Sequence, residues 1–240
     1  MIRPPVRRAL ALVGVASLLC GCLPEAVTAQ GSEVARLYDI FMVASAVVFV
    51  LVVGLLAWAT VRYRGQPGRV VEMPRPIHGD MRLEVLWWAL PTALVAVLTV
   101  LTIGVLTQVD AREEDPSVVV GVLGYQWGWE FTYEGSGVIV NGTAADPATI
   151  QLPVGETIAF EITSQDVVHS FNIPPFLIKR DAIPNQPNRF DVLIEEEGTY
   201  TGQCGEFCGL LHARQLFAIE AVQPAAFEQW LTDQQAQADR

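Results

Sequence analysis

Two long apolar runs constrain the fold more than any other feature of the sequence. Residues 40–61 and 85–109 contain no charged side chain. Both runs reach the roughly 20 apolar residues that a helix needs to cross a bilayer. Tryptophans, which favour the headgroup layer, lie near their ends: Trp58, Trp87 and Trp88. Two buried core helices are the alternative, and the length and lack of charge disfavour it. We predict a transmembrane hairpin within residues 32–110, with helices at about 40–61 and 85–109.

The segments around the hairpin predict its orientation. The loop between the runs carries arginines, namely Arg62, Arg64, Arg69, Arg75 and Arg82. Because basic loops stay in the cytoplasm, everything from about Asp110 onward is expected on the extracytoplasmic side of a bacterial cell membrane, in a multi-pass protein.

Residues 1–22 have the basic start, apolar stretch and small residues of a secretory signal. The stretch Leu19-Cys20-Gly21-Cys22 resembles a lipobox, which implies cleavage before Cys22, a lipid on its thiol and loss of Cys20. Ordinary cleavage near residues 26–30 is the alternative.

The remaining residues, 111–240, are patterned as one β domain. Short apolar or alternating runs are separated by turn residues, at residues 118–122, 137–140, 149–153, 156–164, 189–194 and 217–222. This spacing predicts a sandwich or small barrel. Pro224 begins a segment with helical spacing of apolar residues, which predicts a short C-terminal helix. The net charge of −11 disfavours nucleic acid as a partner and is compatible with a basic protein.

The stretch Cys204-x3-Cys208-x3-His212 is the strongest candidate for a site. A disulfide would close a very small loop and leave His212 unexplained. A redox thiol pair would more often be Cys-x-x-Cys, and the Cys-x-x-Cys-His of covalent haem is not found in the sequence. Zinc and copper both accept thiolates with imidazoles. Of the three histidines, His78 falls in the predicted cytoplasmic loop, so His169 is the expected second imidazole.

These motifs together resemble subunit II of the haem-copper cytochrome c oxidases. The matching segments occur in the family's order: Gln126-Trp127-Gly-Trp129, Asp166-Val-Val-His169-Ser, Lys179-Arg-Asp181-Ala-Ile-Pro184 and Gly202-Gln-Cys204-Gly-Glu206-Phe-Cys208-Gly209. The resemblance covers nearly all of the mature chain. It implies a two-helix hairpin followed by an all-β, cupredoxin-like Greek-key barrel.

The resemblance also implies a dinuclear copper centre, Cu-A, holding two copper ions. Residue by residue, Cys204 and Cys208 match the bridging thiolates, and His169 and His212 match the terminal imidazoles. Glu206 matches a residue whose carbonyl lies near one copper and whose carboxylate binds Mg or Mn at the interface with subunit I.

Gln215 departs from the family, which has methionine as a weak ligand at this position. An amide oxygen can serve as a weak axial ligand in related copper sites, so we expect Gln215 Oε1 to bind copper. The alternative is that Gln215 points away from the metal.

Trp127 matches the residue at which electrons enter in the family, while strand packing is the alternative role. Alternation along a strand would put Tyr125, Trp127 and Trp129 on one face. Lys179 and Asp181 match loop residues near the subunit interface.

The implied function is electron transfer within a respiratory enzyme complex. Cytochrome c would reduce Cu-A, and the electron would pass to haem in subunit I, which reduces dioxygen to water and pumps protons as a translocase. The expected partners are subunit I, other oxidase subunits and cytochrome c. A membrane-tethered copper chaperone, a quinol oxidase subunit without copper ligands and a nitrous-oxide-reductase domain are the alternatives. The four intact strong ligands disfavour the quinol oxidase subunit, and the two-helix anchor disfavours the reductase domain.

Overall fold

A helical hairpin forms the first part of the computed structural model, which describes residues 23–65, 76 and 78–238. Helix α1 spans Ala29–Arg62 and helix α2 spans Met81–Val109, and the two pack against each other. Both are long and apolar enough to cross a membrane, and their apolar windows are not buried within the chain. The signal segment with Cys22, and most of the basic loop, lie outside the described residues.

Ten strands follow the hairpin and form two five-stranded sheets. Their bounds are β1 Val118–Tyr125, β2 Gly128–Tyr133, β3 Ile139–Thr143, β4 Ala148–Pro153, β5 Thr157–Ser164, β6 His169–Ile173, β7 Ile178–Ala182, β8 Asn188–Leu193, β9 Gly198–Cys204 and β10 Leu216–Val222. One sheet has the order β3-β2-β1-β5-β8 and the other β4-β10-β9-β6-β7. A C-terminal helix, α3, spans Pro224–Ala238.

The sheets are mixed, because β1 pairs with β5, and β4 with β10, in parallel, whereas the other strand pairs are antiparallel. A tight hairpin can join only antiparallel strands, and between each pair of parallel neighbours the chain here crosses to the other sheet and back. The fold class is the predicted one: two apolar helices followed by an all-β, cupredoxin-like domain.

Aromatic side chains from both sheets form the centre of the sandwich. Phe171 of β6 stacks on Phe217 of β10, with ring centroids 4.5 Å apart. Trp129 of β2 meets both rings edge to face from the opposite sheet. Space for Phe217 exists only because residue 202 is glycine, since a Cβ there would lie 1.9 Å from the Phe217 ring. The core therefore extends to within two residues of Cys204.

Both helices are attached to the β domain at the same end of the hairpin. Thr28, just before α1, forms a bridge with Ile194, and the Gln30 side chain accepts a hydrogen bond from the backbone of β8. Beyond α2, the buried Asp191 carboxylate of β8 accepts a hydrogen bond from Glu113 N at 2.6 Å. These contacts hold the β domain against one end of the hairpin.

Candidate metal centre

The candidate ligands come from two adjacent strands and the loop that follows one of them. His169 is the first residue of β6, and Cys204 is the last residue of β9. The strands pair so that Phe171 lies opposite Cys204. The loop from residue 205 to 215 closes on itself, because Cys204 N donates to Gln215 O at 3.0 Å. Residues far apart in the sequence thus meet at one end of the sandwich.

Three of the predicted ligands form a compact, buried group. The ligand atoms of His169, Cys204 and Cys208 all lie within 4.8 Å of one another. The sulfurs of Cys204 and Cys208 are 3.7 Å apart and are not bonded to each other. Two free thiols and an imidazole nitrogen directed at one point are a soft donor set, which suits copper or zinc.

Each imidazole faces a different sulfur. His169 Nδ1 lies 3.8 Å from the Cys204 sulfur, whereas His212 Nδ1 lies 3.6 Å from the Cys208 sulfur. His212 belongs to a short 3-10 turn, is half-buried, and lies outside the compact group of three. The remaining histidine, His78, is exposed in the segment before α2. The four strong donors therefore form two thiol–imidazole pairs side by side.

Asp166 holds the His169 ring, a role that was not predicted from the sequence. Its Oδ1 lies 2.9 Å from His169 Nε2, which places the proton of a neutral imidazole on Nε2 and leaves Nδ1 directed at the sulfurs. Asp166 also accepts hydrogen bonds from the backbone N–H groups of Gln126 and Val167. The sequence could have indicated this role, because the Asp166 carboxylate lies three residues before the candidate ligand His169.

The electrostatics of the two thiols differ. Burial opposes ionisation of Cys204, but hydrogen bonds with His169 and with the backbone lower its pKa to about 6. Burial and the neighbouring Cys204 thiolate raise the pKa of Cys208. Burial opposes protonation of His169, but its hydrogen bonds with Cys204 and Asp166 raise the imidazole pKa. A metal ion must displace these protons, so its affinity depends on pH.

Gln215 points into the site, and its side chain is fully buried. Its Oε1 lies 3.0 Å from the Cys208 sulfur and 3.0 Å from His169 Nδ1. Its Nε2 donates to the backbone carbonyls of Tyr125 at 3.2 Å and Gly128 at 2.9 Å. The amide oxygen is thus within reach of the same space as the thiols and imidazoles.

Glu206 has its backbone carbonyl in the site and its carboxylate at the surface. Its backbone carbonyl oxygen lies 3.2 Å from the Cys204 sulfur. Its carboxylate turns outward and pairs with Lys179 Nζ at 2.5 Å, and Lys179 Nζ lies 3.5 Å from Asp181 Oδ1. All three side chains are about half exposed. Lys179 and Asp181 lie on strand β7, although they were expected in a loop, and they lie beside the carboxylate that was predicted to bind Mg or Mn.

The expectation that Tyr125, Trp127 and Trp129 share one strand face was wrong. Strand β1 ends at Tyr125 and β2 begins at Gly128, so Trp127 lies in the turn between them. Trp129 is fully buried beside the His169 ring, and Tyr125 donates its hydroxyl to a backbone carbonyl. Trp127 is partly buried, and its Nε1 donates to Cys208 O at 3.3 Å.

The turn between β1 and β2 packs tightly on the ligand loop. Gln126 Nε2 also donates to Cys208 O, at 2.6 Å. Gly209 follows with a φ of +119°, a conformation that favours glycine, and a Cβ there would lie 3.1 Å from both Gln126 and Trp127. The turn that carries Trp127 is therefore in direct contact with the backbone of a candidate metal ligand.

Comparison with known proteins gives the same family for both parts of the chain. The family "Cytochrome C oxidase subunit II, transmembrane domain" matches residues 16–105, and "Cytochrome C oxidase subunit II, periplasmic domain" matches residues 140–222. The chain is 32% identical to a probable cytochrome c oxidase subunit 2 of Streptomyces avermitilis, over 96% of this chain and 88% of the relative. It is 31% identical to cytochrome c oxidase subunit 2 of Alkalihalophilus pseudofirmus, over 97% of this chain and 69% of that relative.

A solved structure of the periplasmic domain of cytochrome oxidase subunit II from Bradyrhizobium japonicum is also similar. It is 26% identical, with a TM-score of 0.49, over 52% of this chain and 99% of that domain.

Proposed function

The chain belongs to the cytochrome c oxidase subunit II family, and on that basis we propose that it is the electron-accepting subunit of a haem-copper oxidase. It takes electrons from cytochrome c at a dinuclear Cu-A centre and delivers them to haem in subunit I. Subunit I reduces dioxygen to water and couples this reaction to proton pumping. The chain is thus part of an enzyme and does not itself carry the oxygen-reducing site.

The observation that carries this proposal is the paired donor set of the ligand loop. Two free thiols lie side by side, and each has its own imidazole. In our assignment the thiolates of Cys204 and Cys208 and the imidazoles of His169 and His212 would hold two copper ions, and the Glu206 carbonyl would be a further weak donor. When bound, such a copper pair shares one electron between two metals and so exchanges it with little rearrangement of its ligands.

The protein's own contribution is to hold these donors in place. Asp166 fixes the ring of His169, and the β6–β9 pairing fixes the spacing between His169 and Cys204. Rigid ligands and a nearly water-free site limit the reorganisation that accompanies electron transfer. The burial of His169, Cys204 and Cys208 supports this role.

We propose Trp127 as the residue at which electrons enter. Its ring is partly exposed, and its indole N–H bonds directly to the carbonyl of Cys208. This contact provides a short route from the surface into the ligand loop. Replacing Trp127 by phenylalanine should leave copper content unchanged and slow reduction by cytochrome c. The matched control is Trp230→Phe, since Trp230 lies on α3 and packs on Tyr133 of β2. Equal rates in the two variants would contradict the assignment.

The remaining predictions concern the membrane and the subunit interface. The exposed Glu206 carboxylate is our candidate ligand for Mg or Mn shared with subunit I. We place the β domain on the extracytoplasmic side of the bacterial cell membrane, because the loop between the helices is basic. Lipidation of Cys22 after signal cleavage stays part of the proposal, and mass spectrometry of the mature N-terminus tests it.

The deciding experiment uses the full-length chain in detergent, loaded with copper. We expect two copper ions per chain, an electron paramagnetic resonance signal in which one electron couples to both nuclei, and reduction by reduced cytochrome c. The Cys208→Ser variant should lose the coupled signal. A single labile copper ion that cytochrome c does not reduce would refute electron transfer and favour copper delivery.

A further inference from the structure

Gln215 is a buried polar residue whose role the family pattern leaves open. It is fully buried, and three different elements surround its amide: strand β6, the ligand loop and the turn between β1 and β2. A buried amide that lacked hydrogen-bond partners would be costly, so its contacts define how it can be oriented.

The two ends of the amide have different partners. Both atoms that Nε2 contacts, the carbonyl oxygens of Tyr125 and Gly128, are acceptors only. The nitrogen must therefore face the turn between β1 and β2, since a flipped amide would direct its oxygen at two other oxygens. This fixes Oε1 on the opposite side, where it lies 3.0 Å from both Cys208 Sγ and His169 Nδ1.

We propose that Gln215 is a neutral oxygen ligand of the copper site, whose orientation is set in advance by the turn that carries Trp127. The proposal rests on the proposed function and adds a residue that positions and tunes the metal. In the structure, Oε1 accepts a hydrogen bond from the Cys208 thiol and lies 3.0 Å from His169 Nδ1, so it is in contact with both donors of the site. The segment 125–128 then contacts the centre twice, through Gln215 and through Cys208 O.

The chemistry of the donor gives the direction of the effect. An amide oxygen is a hard donor and stabilises oxidised copper relative to reduced copper, whereas a thioether sulfur favours reduced copper. We expect Gln215→Met to raise the reduction potential, and Gln215→Leu, which offers no donor, to raise it further. Both variants lose the same two hydrogen bonds to the turn, so a difference between them reports on the donor atom.

The experiment measures copper content, reduction potential and the paramagnetic resonance spectrum of the full-length chain in detergent. The variants are Gln215→Met, Gln215→Leu and the control Gln151→Met. Gln151 is a suitable control because it lies on the edge strand β4, where its amide donates to Glu220 of β10. The expected order of potentials is wild type, then Met, then Leu, with the control equal to wild type. Potentials of both Gln215 variants equal to that of the wild type would overturn the proposal.

A second measurement does not depend on how the variants fold. The wild-type chain is labelled with 13C at the side-chain carbonyl of glutamine and loaded with copper. A strong 13C coupling to the unpaired electron, absent when the label is left out, is expected if Oε1 binds the metal. If the labelled, copper-loaded chain shows no such 13C coupling, the proposal is overturned. The copper content of the wild-type chain tests the proposed function separately, so the two ideas can fail independently.

Discussion

The carboxylate of Asp166 should determine how tightly the site holds copper. It receives four hydrogen bonds, and all four partners are donors: His169 Nε2 at 2.9 Å, Val167 N at 2.6 Å, Gln126 N at 2.7 Å and Ser164 Oγ at 3.5 Å. In Asp166→Asn, one oxygen becomes an NH2 group, which would face one of these donors. The variant also replaces the charged acceptor of the His169 Nε2–H group by a neutral one, and so weakens the support of His169 while leaving the size of the side chain nearly unchanged.

The magnitude follows from the kind of bond that is lost. A hydrogen bond to a charged group contributes about 1.5–3 kcal/mol, and each 1.4 kcal/mol corresponds to about tenfold in an equilibrium constant. The Asp166 side chain is 31% exposed, so solvent screening favours the lower end of this range. We expect copper affinity to fall by about tenfold, at the lower end of the roughly 10–100-fold known for groups that orient a metal-bound histidine.

The assay is competition for copper between the full-length chain and a chelator of known affinity. Asp146→Asn is the matched control. Asp146 is exposed in the turn between β3 and β4, and the substitution removes the same charge. If both variants retain copper as the wild type does, Asp166 does not position His169 and the reasoning is refuted. If both lose copper equally, the effect comes from net charge alone.

Three further measurements test the core of the β domain, the thiols of the site and the start of α1. Gly202→Ala should lower the free energy of unfolding by about 1–3 kcal/mol, because its Cβ would collide with Phe217. Urea unfolding measures this loss, and Gly121→Ala, with nothing closer than 3.7 Å to its Cβ, should behave as wild type. The ultraviolet absorbance of thiolate in the metal-free chain should rise as pH increases through about 6, and Cys204→Ser should abolish that step. A single step near the ordinary thiol pKa of about 8.5 would contradict it. Thr28→Ala should cost about 1 kcal/mol, because its hydroxyl caps the first turn of α1, and an unchanged thermal unfolding midpoint would argue against that cap.

Much of the fold could be predicted because its signals are local. The apolar runs at 40–61 and 85–109 lie within α1 and α2. Helix α1 begins well before its run, at Ala29, and α2 begins a few residues before its run, at Met81. Runs at 149–153 and 217–222 correspond closely to β4 and β10. In these segments an apolar pattern exists whichever neighbours the chain later meets.

Other strands could not be recognised in the same way, namely β2, β6, β7 and β9. Their composition is mixed, as in His169–Ile173 and Gly198–Cys204. Whether such a segment becomes a strand depends on its neighbours across the sheet, which are distant in sequence. Two of these strands carry predicted ligands, since His169 begins β6 and Cys204 ends β9.

The sequence by itself determined the kinds of donor that the site contains and the membrane anchor behind them. It could do so because thiols, imidazoles and uncharged helices are properties of residues and of short segments. Only the tertiary structure decided which atoms face each other. The orientation of Gln215 depends on carbonyls of Tyr125 and Gly128, and the orientation of the His169 ring depends on an Asp166 carboxylate that also binds Gln126 N. Those hydrogen bonds join the start of the domain to its end, and they form only when the two sheets have packed together.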